Sequence, residues 1–267
     1  MLKTVLNSFH LQDINNPLHP AAFMHTPTYD ILIMRLPYEN ANKVLEVKSN
    51  VLIFKHDEYY IYEVQKQEFV KLDGFKQVHE SLDEKVNQTM QLVDAMYNEI
   101  EDMEDAFYES ETIHNFNQVW FSHKNSLIRI NRILNKTIEE FKVFMQHYSK
   151  KENFLHINFS DILEHLQRTH RNSGHALEKL DALYNFYSSV NNEKMNKTVY
   201  VLTLLSGVFL PLNLLVGFFG MNTTHLPFTQ EDFGTYWVIS LLIVFGLMSY
   251  FGVALLKKNK IQMKGLS

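Results

Sequence analysis

The stretch Val199–Asn222, VYVLTLLSGVFLPLNLLVGFFGMN, decides how this chain is read. Its first 21 positions, Val199 to Phe219, contain no Asp, Glu, Lys, Arg or His. At 1.5 Å per residue, a helix over that run crosses a hydrocarbon core of about 30 Å. Gly220-Met221-Asn222 follows where the run ends, and after a polar loop a second uncharged apolar run covers 237–256. The expectation is a membrane hairpin: a first span over 199–219, an outer loop over 220–236 and a second span over 237–256.

Flanking charge orients the hairpin. Lys194 and Lys197 precede the first span, and Lys257, Lys258, Lys260 and Lys264 follow the second in a basic tail over 257–267. The loop carries Glu231 and Asp232 but no Lys or Arg. The positive-inside rule then predicts both termini in the cytoplasm of a cell whose plasma or inner membrane holds the protein. Tyr200, Tyr236 and Trp237 are candidate interfacial anchors. The N-terminus shows no basic region followed by an apolar core, so no secretory signal is expected. Absence of Cys from all 267 residues excludes thiolate metal sites and disulfides.

Ahead of the membrane part, the sequence predicts an α+β cytoplasmic portion with long helices. Residues 1–74 read as a small α/β or mostly β unit, with β-prone runs at Tyr29–Leu36, Val51–Phe54 and Tyr59–Val64 and a charged turn at His56-Asp57-Glu58. Residues 75–198 read as a helical stalk. Leu82, Val86, Met90, Val93, Met96 and Ile100 recur at helical spacing, and a second helix is expected over about 115–148, with Trp120, Leu127, Ile130, Leu134, Ile138 and Phe141 inward. A third helix starts near Phe154, and nothing stops it before the membrane. Continued into the first span, it reaches about 65 residues and roughly 100 Å. Helices of that length need partners along their sides, so an oligomeric stalk is expected.

Alternating steps of three and four along the first span collect Val199, Thr203, Ser206, Leu210, Asn213, Gly217 and Gly220, in line with Asn196. Polar side chains turn away from lipid toward protein or water. This stripe fits a pore lined by one helix from each subunit, and it also fits a small-residue seam between two helices of a plain dimer. An Asn at the mouth suits hydrated Mg²⁺: amide oxygens accept hydrogen bonds from the ion's water shell without the tight grip of carboxylates.

A membrane hairpin whose turn opens with Gly220-Met221-Asn222 resembles the CorA family of divalent-cation channels, from about residue 158 to 260. Phe219 stands where Tyr is usual, Pro211 matches a mid-helix proline, and Lys257-Lys258 match the basic end. The resemblance implies a selectivity filter at Gly220, Met221 and Asn222. It also implies a polar ring at Asn196, a hydrophobic constriction at Val199 and Leu202, and a pore ring at Asn213. Phe159-Ser160-Asp161-Ile162-Leu163-Glu164-His165 is similar to the family's F-x-D-V-x-D-H. Asp161, with Glu164 nearby, thereby takes the place of the intracellular metal-sensing aspartate, with Asp57 and Asp73 as candidate partners on a neighbouring subunit. The whole implies a funnel-shaped homopentamer in the lipid bilayer that passes Mg²⁺, with Co²⁺ and Ni²⁺ as further cargo, and closes when cytoplasmic Mg²⁺ bridges its subunits. The Thr223–Pro227 loop is similar to that of divergent, zinc-transporting members, so a zinc transporter is the alternative. A non-transporting oligomeric scaffold is the alternative from another class.

Two further features carry less. Asp94–Glu111 holds eight carboxylates, which fits a solvated acidic face or a cloud of counter-charge that concentrates cations. His147, His156, His165, His170 and His175 form no tight ligand pair in sequence and read as surface residues. No phosphate loop, nucleophile elbow or basic nucleic-acid patch occurs, so neither an enzyme nor a nucleic-acid partner is expected. No organic cofactor is expected either.

Overall fold

The computed structural model describes residues 6–16, 19–63, 68–109, 115–221, 233–234 and 236–248. A short helix, α1 (Ser8–Asn15), precedes five strands: β1 (Ala22–His25), β2 (Asp30–Glu39), β3 (Leu45–Lys55), β4 (Glu58–Glu63) and β5 (Glu68–Leu72). Three long helices follow, α2 (Gly74–Tyr108), α3 (Phe116–Tyr148) and α4 (His156–Phe219). An apolar helix, α5, covers Tyr236–Met248.

The strands form one antiparallel meander in the order β1-β2-β3-β4-β5. Side chains of a strand alternate between faces, and β2 makes use of both. Leu32, Met34 and Leu36 join a core with Phe75, Leu82, Phe141 and Phe159 from the long helices. Ile31 and Ile33 enter a second core with Leu6 and Ile14. This double burial is why Ile31-Leu32-Ile33-Met34 reads as an unbroken apolar run rather than an alternating one.

The helical core has coiled-coil spacing. On α4 the buried positions are Phe159, Ile162, Leu166, Thr169, Ser173, Ala176, Leu180 and Leu183, in strict steps of three and four. On α2 they are Phe75, Val78, Leu82, Val86, Thr89, Val93, Met96 and Ile100. A period near 3.5 keeps each seam facing its neighbours over many turns. Two buried hydroxyls fasten the helices to β2: Thr89 Oγ1 donates to the Pro37 carbonyl at 3.0 Å and Thr137 Oγ1 to that of Arg35 at 2.8 Å.

The chain divides into two compact units, residues 1–185 and 186–267, and α4 contributes to both. The boundary expected at residue 74 falls inside the first of these units. Strand and helix residues share one core across it, because the β2 face that carries Leu32 and Met34 has no other cover. The 64-residue α4 meets the expectation of a helix that runs on through the first apolar run. Within the second unit it is the one described helix long and apolar enough to cross a membrane, and none of its apolar window is buried. Helix α5 covers the first part of the second expected span, and 249–256 lie outside the described residues.

Candidate pore wall and metal clusters

Within the second unit, the apolar part of α4 has two unlike faces. Asn196, Val199, Leu202, Thr203, Ser206, Leu210, Asn213, Gly217 and Gly220 are all exposed. Leu204, Val208, Pro211, Leu212, Leu215 and Phe219 are partly covered. At 3.6 residues per turn, the centres of the stripe and of the covered set lie about 170° apart. The stripe with the polar groups thus lies opposite the covered set, within a wider exposed surface that also holds Val201, Leu205, Phe209, Leu214, Val216 and Phe218.

One polar group of that face is bonded within the helix itself. Thr203 Oγ1 donates to the Val199 carbonyl at 2.8 Å, so its hydroxyl proton is satisfied within the helix. Pro211 has no N–H, so the carbonyl of Gly207 loses its donor inside the helix. Gly220 closes α4, its N–H donating to the Val216 carbonyl at 2.9 Å. A Cβ on Gly220 would lie 3.0 Å from that carbonyl oxygen. Close approach, and not a left-handed backbone, is what favours glycine there: among the described glycines only Gly74 has positive φ. Met221 is exposed. Asn222 and the loop after it lie outside the described residues.

In the first unit, α2 and α4 bring Asp83, Asp161 and His165 together, with one ligand atom of each within 4.8 Å of the others. His165 Nε2 lies 3.7 Å from Asp161 Oδ1, one helical turn away. His165 Nδ1 is buried and has no hydrogen-bond partner. Asp83 Oδ2 also accepts a 3.1 Å hydrogen bond from Asn87. Two carboxylates suit Mg²⁺, and the imidazole adds a ligand favoured by transition metals. The donor set therefore fits a divalent ion.

Glu164 is exposed and stands apart from this group. Asp57 faces Lys151 at 3.1 Å instead. Asp83 is a neighbour of Asp161 within the same chain that the sequence reading did not name. It follows buried Leu82 on α2, as Asp161 precedes buried Ile162 on α4, so both carboxylates edge the same helical seam. Acids next to seam positions on two helices were the readable signal.

Three carboxylates of the acidic segment, each partly exposed, have basic partners. Lys179 on α4 reaches Glu101 at 3.0 Å and Glu104 at 2.9 Å, and His123 lies 3.4 Å from Glu99. Not all the histidines are mere surface residues. His147 lies 3.3 Å from Asp30, and burial holds His170 below the ordinary imidazole range.

Several known proteins are similar to this chain. YfjQ of Bacillus subtilis is 26% identical over 113 residues, 42% of this chain and 35% of that protein. The zinc transport protein ZntB of Vibrio parahaemolyticus is 37% identical over 57 residues, 21% of this chain and 18% of that one. The matched stretches thus span about a third or less of these relatives. The CorA magnesium transporter of Methanocaldococcus jannaschii shares the fold with a TM-score of 0.76 at 16% identity, over 94% of this chain and 83% of that one. Residues 5–258 match the family of the CorA-like Mg2+ transporter protein, and the chain belongs to that family.

Proposed function

We propose that this chain is the subunit of a homopentameric membrane channel for hydrated divalent cations, Mg²⁺ first, with Co²⁺ and Ni²⁺ as further cargo. The observation that carries the reading is the exposed stripe of α4, opposite the covered face. A single chain leaves Ser206 and Asn213 exposed, in line with Thr203, where lipid would penalise unsatisfied polar groups, and copies of the same helix around a shared axis remove that cost. Both termini then lie in the cytoplasm, with Gly220, Met221 and Asn222 at the outer mouth. The Asn222 amide accepts hydrogen bonds from the ion's water shell. Membrane potential drives the flow: two charges crossing 100 mV gain about 4.6 kcal/mol. Asp161, with Asp83 and His165, senses the intracellular ion.

Zinc as the cargo is the second reading, favoured by the similarity to a zinc transport protein and by an imidazole beside the two carboxylates. Flux into liposomes separates the two. Mg²⁺ uptake that follows an imposed voltage supports the channel. Uptake of Zn²⁺ alone, driven by a pH gradient, replaces it with the zinc reading. An assembled oligomer that passes no divalent ion under either gradient removes both and leaves a scaffold.

A further inference from the structure

A second cluster lies in the first unit, on elements that the pore reading does not use. His25 ends β1, Asp30 begins β2, and the two face each other across the hairpin. His147 comes from the last turn of α3. One ligand atom from each of His25, Asp30 and His147 lies within 4.8 Å of the others.

The geometry is that of a carboxylate held in place for a purpose. Asp30 is buried, at 7% exposure. Its Oδ1 lies 2.6 Å from His25 Nδ1, and its Oδ2 accepts from the Tyr148 hydroxyl at 2.5 Å while His147 Nε2 stands 3.3 Å away. The hairpin turn is itself tied, with the Thr26 N–H donating to the Tyr29 carbonyl at 3.1 Å and the Tyr29 N–H to Thr26 Oγ1 at 3.1 Å. The two imidazole rings lie 4.5 Å apart, and Phe23 backs the His147 ring at 5.4 Å. The histidine side is open, with side-chain exposures of 61% for His25 and 35% for His147. Water can therefore complete a coordination shell from that side.

We infer that His25, Asp30 and His147 form a binding site for a transition-metal ion of the Zn²⁺ or Co²⁺ type, separate from the pore. Two imidazoles and one carboxylate match the ligand preference of such ions, whereas Mg²⁺ demands oxygen ligands in a near-octahedral shell. The Tyr148 hydroxyl is the outer partner that orients the carboxylate. Each imidazole adopts the tautomer that frees its inward nitrogen, and the bound ion replaces the imidazole–carboxylate contacts. The ion would bolt the β1–β2 hairpin to the end of α3, giving the soluble unit a response to transition metals that Mg²⁺ does not share.

The test uses the purified full chain, stripped of metal by chelation, in an Asp161→Asn background that disables the other cluster. Titration with Co²⁺, read by its d–d absorption, should show one saturable site that Zn²⁺ displaces and excess Mg²⁺ does not. His25→Ala, at an exposed strand end, should remove that site. Tyr148→Phe should weaken it by about 10–100-fold, the usual cost of losing an outer partner. Equal Co²⁺ stoichiometry and affinity in the chain with and without His25→Ala, no saturable site at all, or displacement by Mg²⁺, would each overturn the inference. Transport is not read, so these outcomes leave the channel reading untouched.

Discussion

The hydroxyl of Tyr148 donates a 2.5 Å hydrogen bond to Asp30, joining the end of α3 to the start of β2 across 118 residues of chain. Both residues are buried, and the bond sits where the sheet meets the helical core. Burial, reinforced by the Asp30 carboxylate, pushes the Tyr148 hydroxyl well above its ordinary value of 10.0. A hydrogen bond to a charged group contributes about 1.5–3 kcal/mol, so Tyr148→Phe should destabilise the soluble unit by that order. The pH dependence has a definite sign. The folded state favours the neutral phenol, so this stabilisation is complete below about pH 10 and declines as pH rises beyond it. Thermal melting of wild type and Tyr148→Phe across alkaline pH reads the effect, and the gap between them should narrow above about pH 10. A constant gap would contradict the assignment.

How much of this was legible follows from which groups obey a local period. The three long helices were readable because each presents an apolar stripe over many turns, and α4 runs on with Pro211 as its one internal proline. Strand β1, with partly covered positions and a polar end, and β5, mostly exposed, carried no such stripe. The run Ile31–Met34 announced a strand but not that its two faces enter different cores. Of the candidate site, the α4 stripe was readable as a period. The pairing of Asp83 with Asp161 and of His147 with Asp30 depends on how elements far apart in sequence dock, and no spacing within one helix encodes that.

Lys179 tests whether the acidic helix is held or free. Glu104, with Glu101, keeps its ammonium pKa above the ordinary value. The pairs are partly exposed, and such bridges contribute at most about 1 kcal/mol. Lys179→Met should therefore lower stability by less than that, and the difference from wild type should shrink at high salt. A salt-independent loss of several kcal/mol would assign the cost to packing, including the Tyr97 ring 5.2 Å from the ammonium.

Asn222 lies outside the described residues, and its role is tested by transport. Asn222→Ala should abolish divalent uptake in liposomes while the oligomer elutes unchanged from a sizing column. Wild-type Mg²⁺ flux through a correctly assembled Asn222→Ala protein would remove the filter from the Gly220-Met221-Asn222 turn.

Stoichiometry is a separate matter. One α4 per subunit can enclose a hydrated path only when several copies meet, and the proposed number is five. Native mass measurement in detergent should give a pentamer. A stable dimer would turn the exposed stripe into a helix–helix seam and favour the scaffold.

Regulation should pass through Asp161. Its carboxylate and that of Asp83 stand together beside His165, and like charges at that separation repel unless a cation offsets them. In the proposed closed state Mg²⁺ held at this cluster bridges to a neighbouring subunit and supplies that offset, and its departure loosens the subunit boundary. Asp161→Asn removes one ligand charge and half of the repelling pair, so the response to the ion should flatten from both causes. The measurement is protease protection of the soluble unit across a Mg²⁺ titration. Wild type should gain protection as Mg²⁺ rises, and Asp161→Asn should need at least about 10-fold more Mg²⁺, a difference of about 1.4 kcal/mol in ion binding. Glu164→Gln serves as the control, because Glu164 is exposed and apart from the cluster, and its midpoint should match wild type. A wild-type midpoint in Asp161→Asn would move the sensor elsewhere. A shift in Glu164→Gln equal to that of Asp161→Asn would show a general charge effect in place of a defined site.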